Sequence, residues 1–238
     1  MPWETMMPDL ATGIQGGGAG LAVGAAMAAA AGVLRRRGMR VPYTRKIFHF
    51  GIFTAAGLVH AVGGLPATNA FGAAVAVLVV AAVVRGPGHL LYDALARPTD
   101  HPRERLFIVV PLVTTAVGGL VSALLAGPFA AVGYLVAGWG DAVGEPVGTR
   151  WGRHRYRVPS LFGVPAHRTL EGSAAVFVVG AAAAWLALVG IGQAPRAVLL
   201  PSLVIAAAAA LVEGLSNHGT DNLTVQVTAA LAAFLLLG

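Results

Sequence analysis

The sequence predicts an all-α, polytopic membrane protein of seven to eight transmembrane helices with both termini extracytoplasmic, and three observations predict it. Of the 238 residues, 57% are hydrophobic and only 11% are charged, with a mean hydropathy of +0.76. A soluble domain carries about 25% charged residues, so this chain has too few to cover a water-facing surface. Long runs without Asp, Glu, Lys or Arg reach the roughly 20 residues that a helix needs to cross a hydrocarbon core. The charges fall into short stretches between those runs, and the basic ones segregate to one side when the runs alternate as spans. The absence of cysteine excludes disulfides, thiol catalysis and cysteine metal ligands. A net charge of +6 in a soluble chain would point to nucleic acid. Here it reads as loop asymmetry and attraction to anionic lipid head groups, with no nucleic-acid partner.

The first run, Leu10 to Leu34, gives one span (10–34). Glu4 and Asp9 precede it and Arg35-Arg36-Arg37 follow, which is not the pattern of a cleaved leader. Ile47 to Val84 is too long for one span and breaks at the turn signal Gly63-Gly64-Leu65-Pro66. Leu106 to Gly140 breaks in the same way at Gly127-Pro128. A span from Ser173 to Ile191 follows, then a turn at Gly192-Gln193-Ala194-Pro195, and Ala197–Val212 and Leu223–Leu237 complete the set. Between the third and fourth spans, His89 to Leu95 reads as a short helix in the interface or as part of a solvated connector ending at Arg105. Residues 1–238 thus form a single integral membrane domain, with no long repeat and no soluble appendage.

Charge supports this arrangement. Alternating spans place Arg35, Arg36, Arg37, Arg40, Arg45, Lys46, Arg85, Arg97, Arg103, Arg105, Arg150, Arg153, Arg155, Arg157 and Arg168 together, leaving Arg196 alone opposite. By the positive-inside rule the crowded side is cytoplasmic, within a bacterial cytoplasmic membrane. Eight of the ten carboxylates fall there too. The rule makes little demand on acidic residues, so their gathering points to chemistry at the cytoplasmic face.

Three constellations carry that chemistry. Residues 138–173 read as a cytoplasmic loop in which Gly140, Gly144, Gly148 and Gly152 recur every fourth position. Asp141 and Glu145 sit four apart, and Arg150, Arg153, Arg155, Arg157 and Arg168 come after them. Carboxylates supply hard oxygen ligands for a divalent metal, and arginines clamp phosphate oxygens in pairs. Glycines admit close backbone approach to a ligand or, equally, to another helix. The second constellation, Arg45-Lys46-Ile47-Phe48-His49, sets two cations at a helix start. That opposes the helix dipole unless an anion sits there. The third, Glu213 to Thr224, ends an apolar span with a carboxylate that requires a cation or a metal, and Asp221 or Asn222 caps the next helix.

In this order, Arg-Lys-x-x-His, the glycine and carboxylate segment with Gly-Arg-His, Arg168-Thr169-Leu170-Glu171-Gly172-Ser173, and Asp221-Asn222-Leu223-Thr224 resemble the motifs of the membrane CTP-dependent lipid-alcohol kinases. That family holds phytol kinase, dolichol kinase and the CTP-using diacylglycerol kinase, and is similar to the phosphatidate cytidylyltransferases. The resemblance runs from Arg45 to the C-terminus. It departs from the family's pattern at Arg168, where lysine is usual, and at Glu145, where a small residue is usual. It implies transfer of the γ-phosphate of CTP, with Mg²⁺, to an isoprenoid or related lipid alcohol at the cytoplasmic face. The resemblance assigns Asp141, Glu171 and Asp221 to catalysis, and Asp141 with Glu145 or Asp221 to the metal. Arg45, Lys46, Arg168, Gly148, Gly152 and Asn222 would bind the nucleotide. The alternatives are a CTP:phosphatidate cytidylyltransferase, which the same residues would serve, and a small membrane transporter.

Overall fold

The computed structural model describes residues 6–159, 166–217 and 219–238; Glu4, residues 160–165 and His218 lie outside the described residues. The chain divides into two compact units, Met1–Leu112 and Val113–Gly238, each with its own architecture. Helix dominates both, and the all-α expectation holds apart from one two-stranded hairpin.

In the first unit, α1 (Leu10–Arg36) starts at Asp9, whose Oδ1 accepts the Thr12 N–H at 2.7 Å, and ends with Arg35 and Arg36 in its last turn. Both termini therefore complement the helix dipole. Helix α2 (Val41–Arg85) opens with Pro42 in its first turn and is interrupted at Gly64 (φ 64°, ψ −161°), two residues before Pro66. Pro66 has no N–H to donate and its ring crowds the preceding turn, while Gly64 takes a positive φ that side chains disfavour. The break falls where Gly63-Gly64-Leu65-Pro66 predicted it.

Helix α3 (Leu90–Leu95) forms as the sequence allowed, but it is no solvated connector. Leu91, Tyr92, Ala94 and Leu95 are buried, and α3 packs on α1 and α2. Phe48, Phe71, Val75, Val79, Leu91, Tyr92 and Ile108 build the core of this unit. The carbonyls at the end of α3 are satisfied from α2: Thr44 Oγ1 donates to Ala94 O at 2.8 Å, and Arg45 Nη1 donates to Leu95 O at 3.5 Å. Helix termini need such partners when buried. Beyond α3, Asp100 is buried and paired with Arg97 at 3.3 Å.

The second unit takes in the later part of α4 (Leu106–Ala126), α5 (Ala130–Trp151), the strands β1 (Arg155–Val158) and β2 (Ala166–Thr169), α6 (Leu170–Gly190), α7 (Leu199–Leu215) and α8 (Asp221–Leu237). A 3-10 turn at Gly127–Phe129, with Gly127 at φ 54°, separates α4 from α5 as predicted. Helix α5 packs on α6 and α8, and α7 joins α6 to α8, closing a four-helix ring. The sequence placed residues 138–173 in a loop. The structure instead continues α5 to Trp151 through Pro146, and after it β1 and β2 form an antiparallel hairpin rather than irregular chain.

Four helical stretches are long and apolar enough to cross a membrane: Leu10–Arg36, Val41–Arg85, Leu106–Trp151 and Leu170–Gly190. Leu199–Leu215 and Asp221–Leu237 are apolar but shorter. Large apolar side chains stand outward on these helices, with Val62 93% and Leu235 80% exposed. In water such surfaces would aggregate; in lipid they are the proper exterior. The chain is an integral membrane protein.

Candidate active site

Within the second unit all the charged residues but Arg196 and the mid-helix Asp141 lie toward one end, where α5 and α7 finish and α6 and α8 begin. The alternating direction of the helices brings this about. Segments far apart in sequence, around residues 148–152, 166–173 and 213–222, come to this end, and Asp141 and Glu145 lie one to three turns back along α5.

The glycine ladder of α5 is what lets α6 approach. A Cβ on Gly148 would lie 2.7 Å from Thr169 Oγ1, and one on Gly172 would lie 2.9 Å from Gly144 O. At Gly144 it would meet Val176 at 2.5 Å, and at Gly152 it would meet the Thr169 methyl. Gly148 and Gly152, read from the sequence as nucleotide contacts, lie against Thr169 at the start of α6, where glycine allows close packing. Asp141 and Glu145 each follow a ladder glycine on the same helix and are half-buried. They stand one turn apart on the same face, as their spacing requires.

The hairpin locks this end together. β1 pairs with β2 in the register Arg155↔Thr169, Tyr156↔Arg168, Arg157↔His167 and Val158↔Ala166. Thr169 ends β2 and caps α6, its Oγ1 accepting the Gly172 N–H at 3.0 Å. Glu171, in the first turn of α6, accepts from His154 through both its backbone N–H (3.3 Å) and Nδ1 (2.8 Å). The Tyr156 hydroxyl bonds Ser173 Oγ at 2.7 Å.

Arg168 is the centre of a three-membered ion cluster. Its Nη1 pairs with Glu213 at the end of α7, and its Nη2 donates to Asp221 Oδ2 at 2.9 Å at the start of α8. The side chains of Arg168 and Glu213 are each 12% exposed. Glu213 thus has the cation that its place in an apolar helix demanded. Arg168, expected on the triphosphate, lies between two carboxylates. Asp221, expected as a metal ligand or base, pairs with Arg168, and Glu171 with His154.

Asn222, assigned to the nucleotide, instead donates from Nδ2 to Thr115 Oγ1 at 2.9 Å, while Thr114 Oγ1 donates to Gly219 O at 3.0 Å. Gln226, one turn on and fully buried, donates to Asn222 O. Sequence reading missed Thr114, Thr115 and Gln226. The only available signal was the recurrence of amides at Asn222 and Gln226 on one face of an otherwise apolar helix. In the first unit Arg45 donates to Leu95 O and to Phe107 O (3.2 Å), and Lys46 is 6% exposed.

Among the described residues no group of three or more His, Asp or Glu side chains is arranged to hold a metal ion. Asp221 therefore does not join Asp141 and Glu145 in one ligand set. The pair that remains still fits Mg²⁺. This ion is commonly held by one or two carboxylates, with substrate phosphates and water completing its shell.

These features define a polytopic helical membrane protein with a polar, carboxylate-bearing site at one end of its second bundle. Over 200 residues the chain is 33% identical to phytol kinase from Synechocystis sp., a match that covers 80% of this chain and 78% of that protein. The chain belongs to the family of membrane lipid-alcohol kinases identified from its motifs. No family model and no solved structure matches it.

Proposed function

We propose that this protein transfers the γ-phosphoryl group of CTP to the hydroxyl of an isoprenoid alcohol, phytol or a polyprenol, at the cytoplasmic face of the membrane. The observation that carries the reading is that the motif segments 166–173 and 213–222 meet at one end of one helical bundle, on the helix α5 that carries Asp141 and Glu145. Phosphoryl transfer asks a protein for positioning and charge neutralisation more than for covalent chemistry. Asp141 and Glu145 would hold Mg²⁺, which when bound neutralises phosphate charge. The alcohol oxygen attacks the γ-phosphorus, the bond to the β-phosphate oxygen breaks, and CDP leaves. Glu171 or Asp221 would orient the alcohol and accept its proton. The ion cluster around Arg168 fixes the ends of α7 and α8 beside the reacting groups.

The topology belongs to the same proposal. Dividing Val41–Arg85 at Gly64 and Leu106–Trp151 at Gly127, and counting the two shorter helices, yields eight spans. The site and fifteen of the sixteen basic residues then face the cytoplasm, with both termini outside. Parallel reactions with γ-labelled and α-labelled CTP, and with γ-labelled ATP, test the chemistry against phytol, a polyprenol, diacylglycerol and phosphatidate. Label in the lipid from γ-CTP with an alcohol acceptor is expected. Label from α-CTP with phosphatidate would make the protein a cytidylyltransferase, and label from ATP alone would overturn the choice of donor.

A further inference from the structure

The hairpin has two faces of opposite character. Alternation along a strand sends successive side chains to opposite sides, and the register places Tyr156, Val158, Ala166 and Arg168 together. That face is committed inward: Val158 and Ala166 are buried, Tyr156 bonds Ser173, and Arg168 pairs with Glu213 and Asp221. The other face carries the exposed Arg155, Arg157 and His167, with the buried cap residue Thr169 beside Arg155 at its base, and the exposed Arg153 leads into it. Among the described residues none of these four exposed side chains pairs with a carboxylate.

The position of this cationic face is narrowly set. Gly152 caps the end of α5 and Thr169 both ends β2 and caps α6, so no flexible linker separates the hairpin from two apolar helices. A four-residue strand reaches about 13 Å, little more than the ~8 Å over which salt screens charge. At its base Trp151, the last residue of α5, is 62% exposed with the Arg150 guanidinium 5.9 Å from its ring centre, and the neighbouring Leu170 is exposed as well. Tryptophan in such a place marks the membrane–water interface.

We propose that Arg153, Arg155, Arg157 and His167 form a docking face for anionic phospholipid head groups in the leaflet beside the active site. Orientation in the membrane requires basic residues near span ends, but not their alternation onto one face of a folded ribbon without carboxylate partners. Guanidinium groups bind phosphate oxygens through paired hydrogen bonds, and basic segments at the membrane surface attract anionic lipid. The cations are strung along a ribbon rather than converging on a point, which matches a lipid surface better than a single nucleotide. Lipid held there would set the position of the hairpin, and through Arg168 on its inner face the position of the ion cluster. The inference depends on the membrane reading but not on the identity of donor or acceptor.

The chain has no cysteine, so Pro159→Cys, at an exposed position just after β1, offers a unique labelling site. The full-length labelled protein is placed in nanodiscs of phosphatidylcholine with a graded share of phosphatidylglycerol, and a fluorophore at that site is quenched by spin-labelled lipid of either type. Severalfold stronger quenching by spin-labelled phosphatidylglycerol is expected, lost in high salt. The triple variant R153Q/R155Q/R157Q is expected to show no lipid preference, and R153K/R155K/R157K to keep it. If the glutamine variant does not fold, the salt titration of the parent and the lysine variant decide. Equal quenching by the two lipids, a preference insensitive to salt, or one retained in the folded glutamine variant overturns the proposal. Release of the label from phosphatidylglycerol by CTP would assign the face to nucleotide phosphate instead, and overturn it too.

Discussion

In the first unit α1 packs on α2 through Gly16, Gly20 and Gly24; in the second, α5 packs on α6 through Gly140, Gly144 and Gly148. The closeness is similar. A Cβ would lie 2.6 Å from Ala67 O at Gly16 and 2.5 Å from Phe71 O at Gly20, as against 2.5 Å from Val176 at Gly144. What differs is the residue after each glycine. In α1 these are Gly17, Leu21 and Ala25; in α5 they are Asp141, Glu145 and Thr149. Glycine at every fourth position is therefore a packing device in both places. Carboxylates carried alongside it set the pair proposed here for catalysis apart from one that only packs. Breaking the second pair, in ways that have or lack a counterpart in the first, tests that distinction.

The largest effect belongs to the ion cluster, which the first pair does not have. Arg168→Met leaves the buried Glu213 and the half-buried Asp221 without their cation. Breaking a buried ion pair costs about 3–5 kcal/mol, and the loss should appear as a sharply lower melting temperature in detergent. Glu213→Gln added to Arg168→Met should recover part of it, because the pair acts as a unit. Arg168→Lys keeps the charge and the residue usual in the family, so it should fall between the two. A melting temperature unchanged in Arg168→Met would remove the cluster from the account of stability.

Asp141→Asn comes next. It keeps size and helix but removes the charge assigned to the metal. Loss of such an electrostatic contact costs ~10²–10³ in rate, with an unchanged melting temperature. A variant with near-normal turnover would take Asp141 out of the site. Replacing Gln15 or Leu21 on α1 by alanine should leave turnover untouched.

Much of this was legible in the sequence, and the reasons for the rest are physical. The helix breaks at Gly64 and Gly127 were legible because proline and positive-φ glycine act locally, within two or three residues. Glu213 was legible as a residue needing a cation, because a charge at the end of an apolar helix is costly wherever it points. Its partner was not, since Arg168 lies 45 positions away and only the closed helical ring brings them together. The hairpin was hidden by its own charge. Arg155-Tyr156-Arg157-Val158 alternates as a strand should, but in a window of four residues its arginines read as a loop. The continuation of α5 through Pro146 was hidden for the opposite reason. Glycine and proline normally end helices in water, whereas in a membrane bundle neighbouring helices sustain them.

Small-to-large changes on the two glycine faces test the packing half of the comparison. Gly20→Ala and Gly144→Ala should both destabilise, within the roughly 1–3 kcal/mol typical of overpacking. Gly20 should be the worse, because its obstacle is the backbone oxygen of Phe71 while that of Gly144 is the movable side chain of Val176. Activity per folded molecule should fall only in Gly144→Ala, which shifts Asp141 and Glu145 relative to α6. Gly17→Ala is the control: nothing lies within 4 Å of the added carbon, and alanine is favoured over glycine in a helix. Equal loss of specific activity in Gly20→Ala and Gly144→Ala would erase the distinction between the two pairs.

The smallest effects come from the caps that start one helix of each pair, α1 and α6. Thr169 is buried and does two things at once: its hydroxyl accepts from Gly172 N–H, and its methyl fills the space over Gly152. Thr169→Ser should keep the first and lose the second; Thr169→Ala loses both, with about 1 kcal/mol expected for the cap alone. Asp9 is exposed and only caps. Its bonds to the Thr12 N–H hold the carboxyl below its ordinary value of 3.8. A lowered value means that the ionised form is favoured by the folded helix start. That contribution is therefore complete above the unfolded pKa and disappears as pH falls through the lower, folded one. Amide exchange at Thr12 should accelerate relative to its intrinsic rate only once pH drops below about 4. In Asp9→Asn that acid-induced step should vanish. An acid step that survives in Asp9→Asn would mean that a different group governs the helix start.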